Sequence, residues 1–263
     1  MINISALLDK NGYIKIAALD HRDSLKKLIP EKEILDFKTI CIKEFNPYVT
    51  AVILNPEYLK SSEFKNIKKP FLVCLETSGY TETANGRISN LYEDFNAKDA
   101  KELGASATKL NIYYNPTAPA KRHQLEVIKT ALEESRKAGL PFLLEIVTYQ
   151  YQDLPYNESR CIAQSVEELK DYGDIIKINF CEDLEILCDL ISIGKPWVLL
   201  SRGRKYIDYK KCLQQSKDIG GAVGFAVGRS LWQEVGELKS WKEREKFIKT
   251  VAADRLKELS EMF

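Results

Sequence analysis

The sequence predicts a (β/α)8 barrel, and three observations carry that expectation. Eight short, β-branched apolar runs recur along the 263 residues. Amphipathic helical stretches separate most of them. Most runs also contain or end on a polar residue, as barrel strands do where their C-terminal ends build a site.

The runs span 13–20, 50–55, 71–76, 107–113, 141–149, 174–180, 196–201 and 221–227. Their length and β-branched content mark them as strands. Helical periodicity is read over 32–45 and, more clearly, over 121–138, where Leu125, Ile128 and Leu132 share one face. The stretches 165–172, 183–193 and 207–218 continue the alternation, and 239–263 reads as an extra C-terminal helix packed outside the barrel. Gly104, Gly139 and Gly194 stand where helices should stop. Strands alternating with helices imply a parallel sheet covered by helices, and eight strands close a barrel. An open, doubly wound sheet usually has a glycine-rich first turn. Here that turn is Asp20-His21-Arg22-Asp23. Barrels of this type run to about 250 residues as one domain, so residues 1–263 are expected to form one domain.

Composition narrows the function. Lys+Arg number 39 against 38 Asp+Glu, a net charge of +1, without the basic excess of a nucleic-acid binder. The lysine pairs Lys26-Lys27, Lys68-Lys69 and Lys210-Lys211 read as solvated surface. No run approaches the roughly 18 apolar residues that span a bilayer, and the N-terminal residues lack signal-peptide segments. Six scattered cysteines with no C-x-x-C pair fit reduced thiols and a cytoplasmic setting. The two histidines, His21 and His123, are too far apart in sequence to suggest a zinc motif, so no metal is expected.

The charges inside the strands say more. Asp20 ends strand one and Glu76 ends strand three. Lys109, Glu145 and Lys177 lie within strands four, five and six. Alternation puts Ile175, Lys177 and Asn179 on one face, and Leu143, Glu145 and Val147 on one face of the neighbouring strand. Buried charges contribute little to stability even when paired. Three in consecutive central strands therefore indicate a solvated catalytic pocket.

A lysine in such a pocket suits covalent catalysis on a ketone: its amine attacks the carbonyl, water leaves, and the iminium takes up electrons as a C–C bond breaks. The amine must be neutral to attack, so its pKa must fall below about 10.4. Partial burial or a second cation such as Lys109 would lower it. Glu145 is the candidate acid/base, with Asp20 in reserve. The loops after strands seven and eight, Ser201-Arg202-Gly203-Arg204 and Gly228-Arg229-Ser230, combine glycine, arginine and a helix start where barrels commonly bind phosphate.

Taken in order, these segments resemble the tagatose 1,6-diphosphate aldolase family, which includes sulfofructose-phosphate aldolases. The similarity runs from about Gly12 to Trp232. It is carried by Ala17–Arg22, Asn55-Pro56-Glu57-Tyr58, Glu76–Tyr80, Thr108-Lys109-Leu110 with Tyr113-Tyr114, Leu144–Tyr149, Asp174–Lys177, Leu200–Gly203 and Gly228–Trp232. The resemblance implies metal-independent, cofactor-free, reversible cleavage of a phosphorylated ketohexose to dihydroxyacetone phosphate and a three-carbon aldehyde. By position it makes Lys177 the imine-forming residue, Glu145 the acid/base, and Asp20 and Lys109 polar partners. Ser201, Gly203 and Arg229 become phosphate ligands, and the class implies a homo-oligomer. His21, Arg22, Arg202 and Gly228 complete the expected substrate-binding set. Several positions depart from the family pattern. His21 stands for a glutamine, Ile178-Asn179-Phe180-Cys181 replaces a segment with a carboxylate and a proline, and Arg202 and Arg204 add charge. These bear on which tagatose, fructose or sulfofructose phosphate is cleaved, and Arg22, Arg87 or the added arginines are candidates for a second anion. Transaldolase chemistry on the same imine, a proton-transfer isomerase and a non-catalytic sugar-phosphate sensor are the alternatives.

Overall fold

The computed structural model describes residues 2–59, 61, 67 and 69–263; Lys68 lies outside the described residues. Its parallel strands are β1 (Ile14–Ala18), β2 (Ala51–Leu54), β3 (Phe71–Cys74), β6 (Ala107–Tyr114), β7 (Phe142–Thr148), β8 (Ile175–Ile178), β9 (Trp197–Leu200) and β10 (Gly224–Val227). They close a barrel in the order β1-β10-β9-β8-β7-β6-β3-β2. Each coincides with an expected run; seven are trimmed at one or both ends, and β6 runs one residue past the expected 113.

The helices also follow the periodicity. Lys121–Lys137 buries Gln124, Ile128, Ala131 and Ser135, one stripe at helical spacing. Glu158–Leu169 begins seven residues before the expected 165, because the Asn157 side chain caps it by accepting from the Arg160 amide. The Asp183 side chain likewise caps Leu184–Asp189. Gly194 ends the turn that follows at a φ of 71°, a left-handed conformation that suits glycine. At the C-terminus, Trp241–Phe247, a π-helical turn over Ile248–Ala252 and Ala253–Glu261 follow one another without a break. One insertion was not foreseen. Between β3 and β6 the chain forms an antiparallel hairpin, β4 (Thr81–Thr83) and β5 (Gly86–Ile88), then a short helix, Ala97–Glu102, with an Asn96–Asp99 capping box.

Two apolar cores flank the strands. The larger lies between barrel and helices, with Trp232, Phe37 and Tyr209 fully buried. The smaller fills the lower barrel interior, where Ile14, Ile16, Leu72, Leu143, Ile175 and Val198 meet Leu7 from the N-terminal turn Ser5–Leu7. That plug is apolar. The polar site sits one layer above it, at the C-terminal strand ends.

Candidate active site

Period-two alternation builds the site. Ala107, Leu143 and Ile175 face the plug, so Lys109, Glu145 and Lys177, two residues on, face the interior one layer higher. The parallel register sets Glu145 directly beside Lys177. Lys177 Nζ lies 2.8 Å from Glu145 Oε1, and both residues are buried. On the other side, Lys109 Nζ reaches Glu145 Oε2 at 3.0 Å, Asp20 Oδ2 at 2.8 Å and Glu76 Oε1 at 2.6 Å. One ammonium thus anchors three carboxylates, and Glu145 bridges it to Lys177.

This geometry fixes the protonation states. Burial lowers a lysine pKa, but Asp20, Glu145 and Glu76 outweigh it, and Lys109 is held well above the usual lysine range as a permanent cation. Burial would also raise Asp20 and Glu145. For Asp20, the charges of Lys109 and Lys177 win and hold its carboxyl far below the carboxylate range. For Glu145, Lys109 and Lys177 also outweigh burial and lower its pKa. Glu76 goes the other way: burial pushes it up, and Lys109 and Arg22 only partly offset that.

The cavity above these groups has a volume of about 720 Å³. Ten of the eleven residues expected from sequence line it: Asp20, His21, Arg22, Lys109, Glu145, Lys177, Ser201, Arg202, Gly228 and Arg229. Gly203 lies behind the wall, where a Cβ would stand 3.3 Å from the Arg229 guanidinium carbon. Its φ of 73° and that contact both favour glycine. Ser201 accepts from the Gly228 amide at 3.4 Å, tying the two loops together. Arg229 begins the short helix Arg229–Trp232.

Not every arginine is free for substrate. Arg22 Nη1 donates to the Glu76 carbonyl at 2.9 Å and to the Tyr92 hydroxyl, which donates in turn to Glu57 at 2.6 Å. Arg202 pairs with Glu158 and donates to the Thr148 carbonyl at 3.2 Å. Arg204 pairs with Glu182, and Arg87 with Glu82 over the ring of Tyr80. Asn179, grouped with Lys177 by alternation, lies past the end of β8 and is not among the cavity-lining residues. Its amide donates to Glu158 at 3.1 Å, while its Oδ1 is buried without a partner. Asp20, Cys74 and Glu76 offer donor atoms within 4.8 Å of one another, but the Lys109 ammonium already bonds both carboxylates. That cradle is filled by a side-chain cation.

His21 packs edge-on against Trp232, ring centroids 5.0 Å apart, and burial pushes its pKa down to about 4. It is neutral at physiological pH. A Cβ on Gly228 would come within 2.4 Å of His21 Cε1 and 2.9 Å of the Ala18 carbonyl oxygen. Gly228→Ala should therefore destabilise the fold by about 1–3 kcal/mol through overpacking. It should also weaken inorganic phosphate binding, because the displaced loop carries Arg229. Denaturant melts and phosphate titration by calorimetry check both effects, and unchanged values would show that the loop has slack.

The DeoC/LacD family aldolase signature matches residues 14–234. The chain belongs to the DeoC/LacD aldolase family. As a member it is an aldolase, a lyase. Tagatose 1,6-diphosphate aldolase 2 of Enterococcus faecalis is 27% identical over 97% of this chain and 91% of its own length. The tagatose 1,6-diphosphate aldolase of Listeria monocytogenes is 32% identical, matched over 56% of this chain and 46% of its own. The match to the Listeria protein thus covers about half of that relative. An archaeal fructose-1,6-bisphosphate aldolase, solved with its catalytic lysine covalently bound to the carbinolamine intermediate, superposes with a TM-score of 0.70. It covers 94% of this aldolase and 95% of its own chain at 17% identity, a likeness of fold. No described helix of this aldolase is long and apolar enough to cross a membrane.

Sequence reasoning left Glu76 out of the site. It marked Glu76 as a polar strand end and as part of the Glu76–Tyr80 resemblance without giving it a role, although a carboxylate closing a buried strand was itself the signal. Asn111, Tyr113 and Gln233 also line the cavity. Asn111 sits two residues beyond Lys109 on the same strand and was legible by the same parity.

Proposed function

We propose that this aldolase is a class I enzyme that cleaves a phosphorylated ketohexose to dihydroxyacetone phosphate and a three-carbon aldehyde through an imine on Lys177. One observation carries the reading: a buried lysine amine 2.8 Å from a carboxylate, inside a polar cavity. Glu145 takes the proton that frees the Lys177 amine. The amine attacks the ketone carbon, and Glu145 returns the proton as the carbinolamine expels water. A carboxylate, Asp20 or Glu145, removes the proton from the C4 hydroxyl. The C3–C4 electrons flow into the iminium, the aldehyde departs, and the enamine is protonated and hydrolysed. Lys109, locked between carboxylates, keeps Asp20 and Glu145 ionised and ready to accept protons.

Ser201, Gly228, Arg229 and the left-handed Gly203 turn form the phosphate end, where backbone approach and a guanidinium suit an anion. Tagatose and fructose bisphosphates are the favoured substrates, in keeping with what the relatives are called, with sulfofructose phosphate a third candidate. A homo-oligomer in the cytoplasm is the expected setting.

The test is intact-protein mass after incubation with dihydroxyacetone phosphate and borohydride. A stable adduct should form on wild type and be absent from Lys177→Ala. A well-folded wild type that gives no adduct at saturating ligand would remove the imine mechanism.

A further inference from the structure

Glu76 is a buried titratable group that the proposed imine chemistry does not use. It lines the cavity at 3% exposure, and the end of β3 presents it to the same ammonium that serves Asp20 and Glu145. Its two oxygens are in unlike places. Oε1 accepts from Lys109 at 2.6 Å, while Oε2 is buried with no hydrogen-bond partner. An ionised carboxylate oxygen left bare in a buried site is unfavourable, because nothing replaces the water it has lost.

The charges around it are unevenly shared. Glu145 has two lysines, and Asp20 has Lys109 at 2.8 Å with the charge of Lys177 acting on it as well. Glu76 has its share of Lys109, Arg22 only at 3.9 Å, and the repelling charge of Asp20. Arg22 gives its closer bonds to the Glu76 backbone carbonyl and Tyr92. Three carboxylates share the Lys109 ammonium, Lys177 pairs with Glu145 alone and Arg22 stays 3.9 Å from Glu76, so a proton on Glu76, the least closely compensated of the three, relieves the crowding.

We propose that Glu76 is held as the neutral carboxylic acid at physiological pH, and that its Oε2–H donates a hydrogen bond to a hydroxyl oxygen on the aldehyde half of the substrate. A protonated Glu76 still accepts from Lys109 through Oε1, so the observed contact is kept. Its upward pKa shift agrees with this state. The strand order supplies the direction. β3 lies four strands from β9 in a ring of eight, directly across the barrel from the Ser201 loop. A ketose with its phosphate at the β9 and β10 loops and its carbonyl carbon at Lys177 on β8 turns its far end toward Glu76. A buried acid with a free O–H and no protein acceptor is a preformed donor, and a substrate hydroxyl satisfies it. No bond is made or broken at Glu76, and the proton stays on it.

The substrate contact rests on the proposed imine reading, whereas the protonation state does not. Infrared difference spectra of wild type minus Glu76→Gln at neutral pH should show one carboxylic-acid C=O stretch that the variant lacks. Glutamine keeps both an acceptor for Lys109 and a neutral donor, so the variant should fold and form the borohydride adduct with dihydroxyacetone phosphate. The band should then move to lower frequency when Lys177→Met is saturated with fructose or tagatose 1,6-bisphosphate, whichever binds it by calorimetry. Dihydroxyacetone phosphate lacks the aldehyde half and should leave it in place. Absence of the band overturns the neutral state. A band unmoved by the bound bisphosphate, or moved by dihydroxyacetone phosphate, overturns the contact. Failure of the imine reading appears separately, as a wild type without adduct.

Discussion

On the proposed imine mechanism, Lys177→Met should lose aldol cleavage by about 10⁴-fold or more in kcat, since removal of the proposed nucleophile leaves only binding and residual electrostatics. Such a loss corresponds to roughly 5 kcal/mol of transition-state stabilisation or more. Methionine approximates the length and volume of the lysine stem and has no amine. The structure also predicts that the fold barely notices. Glu145 loses a partner at 2.8 Å but keeps Lys109 at 3.0 Å, so no carboxylate is left unpaired. The melting temperature should stay within about 2 °C of wild type, since 1 kcal/mol moves a chain of this size by roughly 2–4 °C. Steady-state cleavage assays with tagatose and fructose 1,6-bisphosphate, beside thermal melts, read both quantities. Retained cleavage in Lys177→Met would rule out the imine and favour proton-transfer chemistry centred on Glu145.

Lys109→Met should behave in the opposite way, with stability falling before chemistry can be asked about. Its ammonium is the only cation within 3 Å of Asp20 and Glu76 among the described ion pairs, and Lys109 itself is 2% exposed. Removing one partner from a buried ionic cluster costs about 3–5 kcal/mol, which for this chain length is a fall in melting temperature of about 10 °C. The pH dependence should change sign as well. In wild type, Asp20 and Glu145 have folded pKa values below their unfolded ones. Their stabilisation is therefore present above about pH 4 and is lost as pH falls through the folded values. Without Lys109, Asp20 has no counter-ion left among the described ion pairs and should titrate above its unfolded value, while Glu145 keeps Lys177 at 2.8 Å, so acidification through that higher range protonates Asp20 and stabilises the folded form. The deficit of the variant should then shrink between neutral pH and about pH 5. Denaturant melts at several pH values decide it, and an equal deficit at every pH would mean that the cluster is not what Lys109 holds together.

The two substitutions separate properties that look alike in the sequence. Both lysines sit in β-branched strands, and alternation puts both on the interior face. Which of them is the structural counter-ion depends on what stands opposite, and those partners are remote: Asp20 is 89 residues from Lys109, and Glu76 is 33. The sequence offers Lys109 as a second cation beside Lys177, and the structure shows what each lysine pairs with. Lys109 spends its charge on three carboxylates, and Glu145 stands between the two ammonium groups.

What the sequence by itself determined was local and periodic. Apolar β-branched runs, helical stripes such as the one through Ile128 and stops such as Gly194 depend on near neighbours, and these placed the strands and most of the helices. Parity within a strand then put Lys109, Glu145 and Lys177 into the cavity, because side chains in a regular strand must alternate. Tertiary structure decided the rest. It engaged Arg22 with Glu76 and Tyr92, and Arg202 with Glu158. It carried Asn179 away from Lys177 once β8 had ended and alternation no longer held. It left Glu76 with one bare oxygen. Each of these outcomes turns on a hydrogen-bond or charge partner brought near only when the barrel closes, and no pattern within a single strand encodes such a partner.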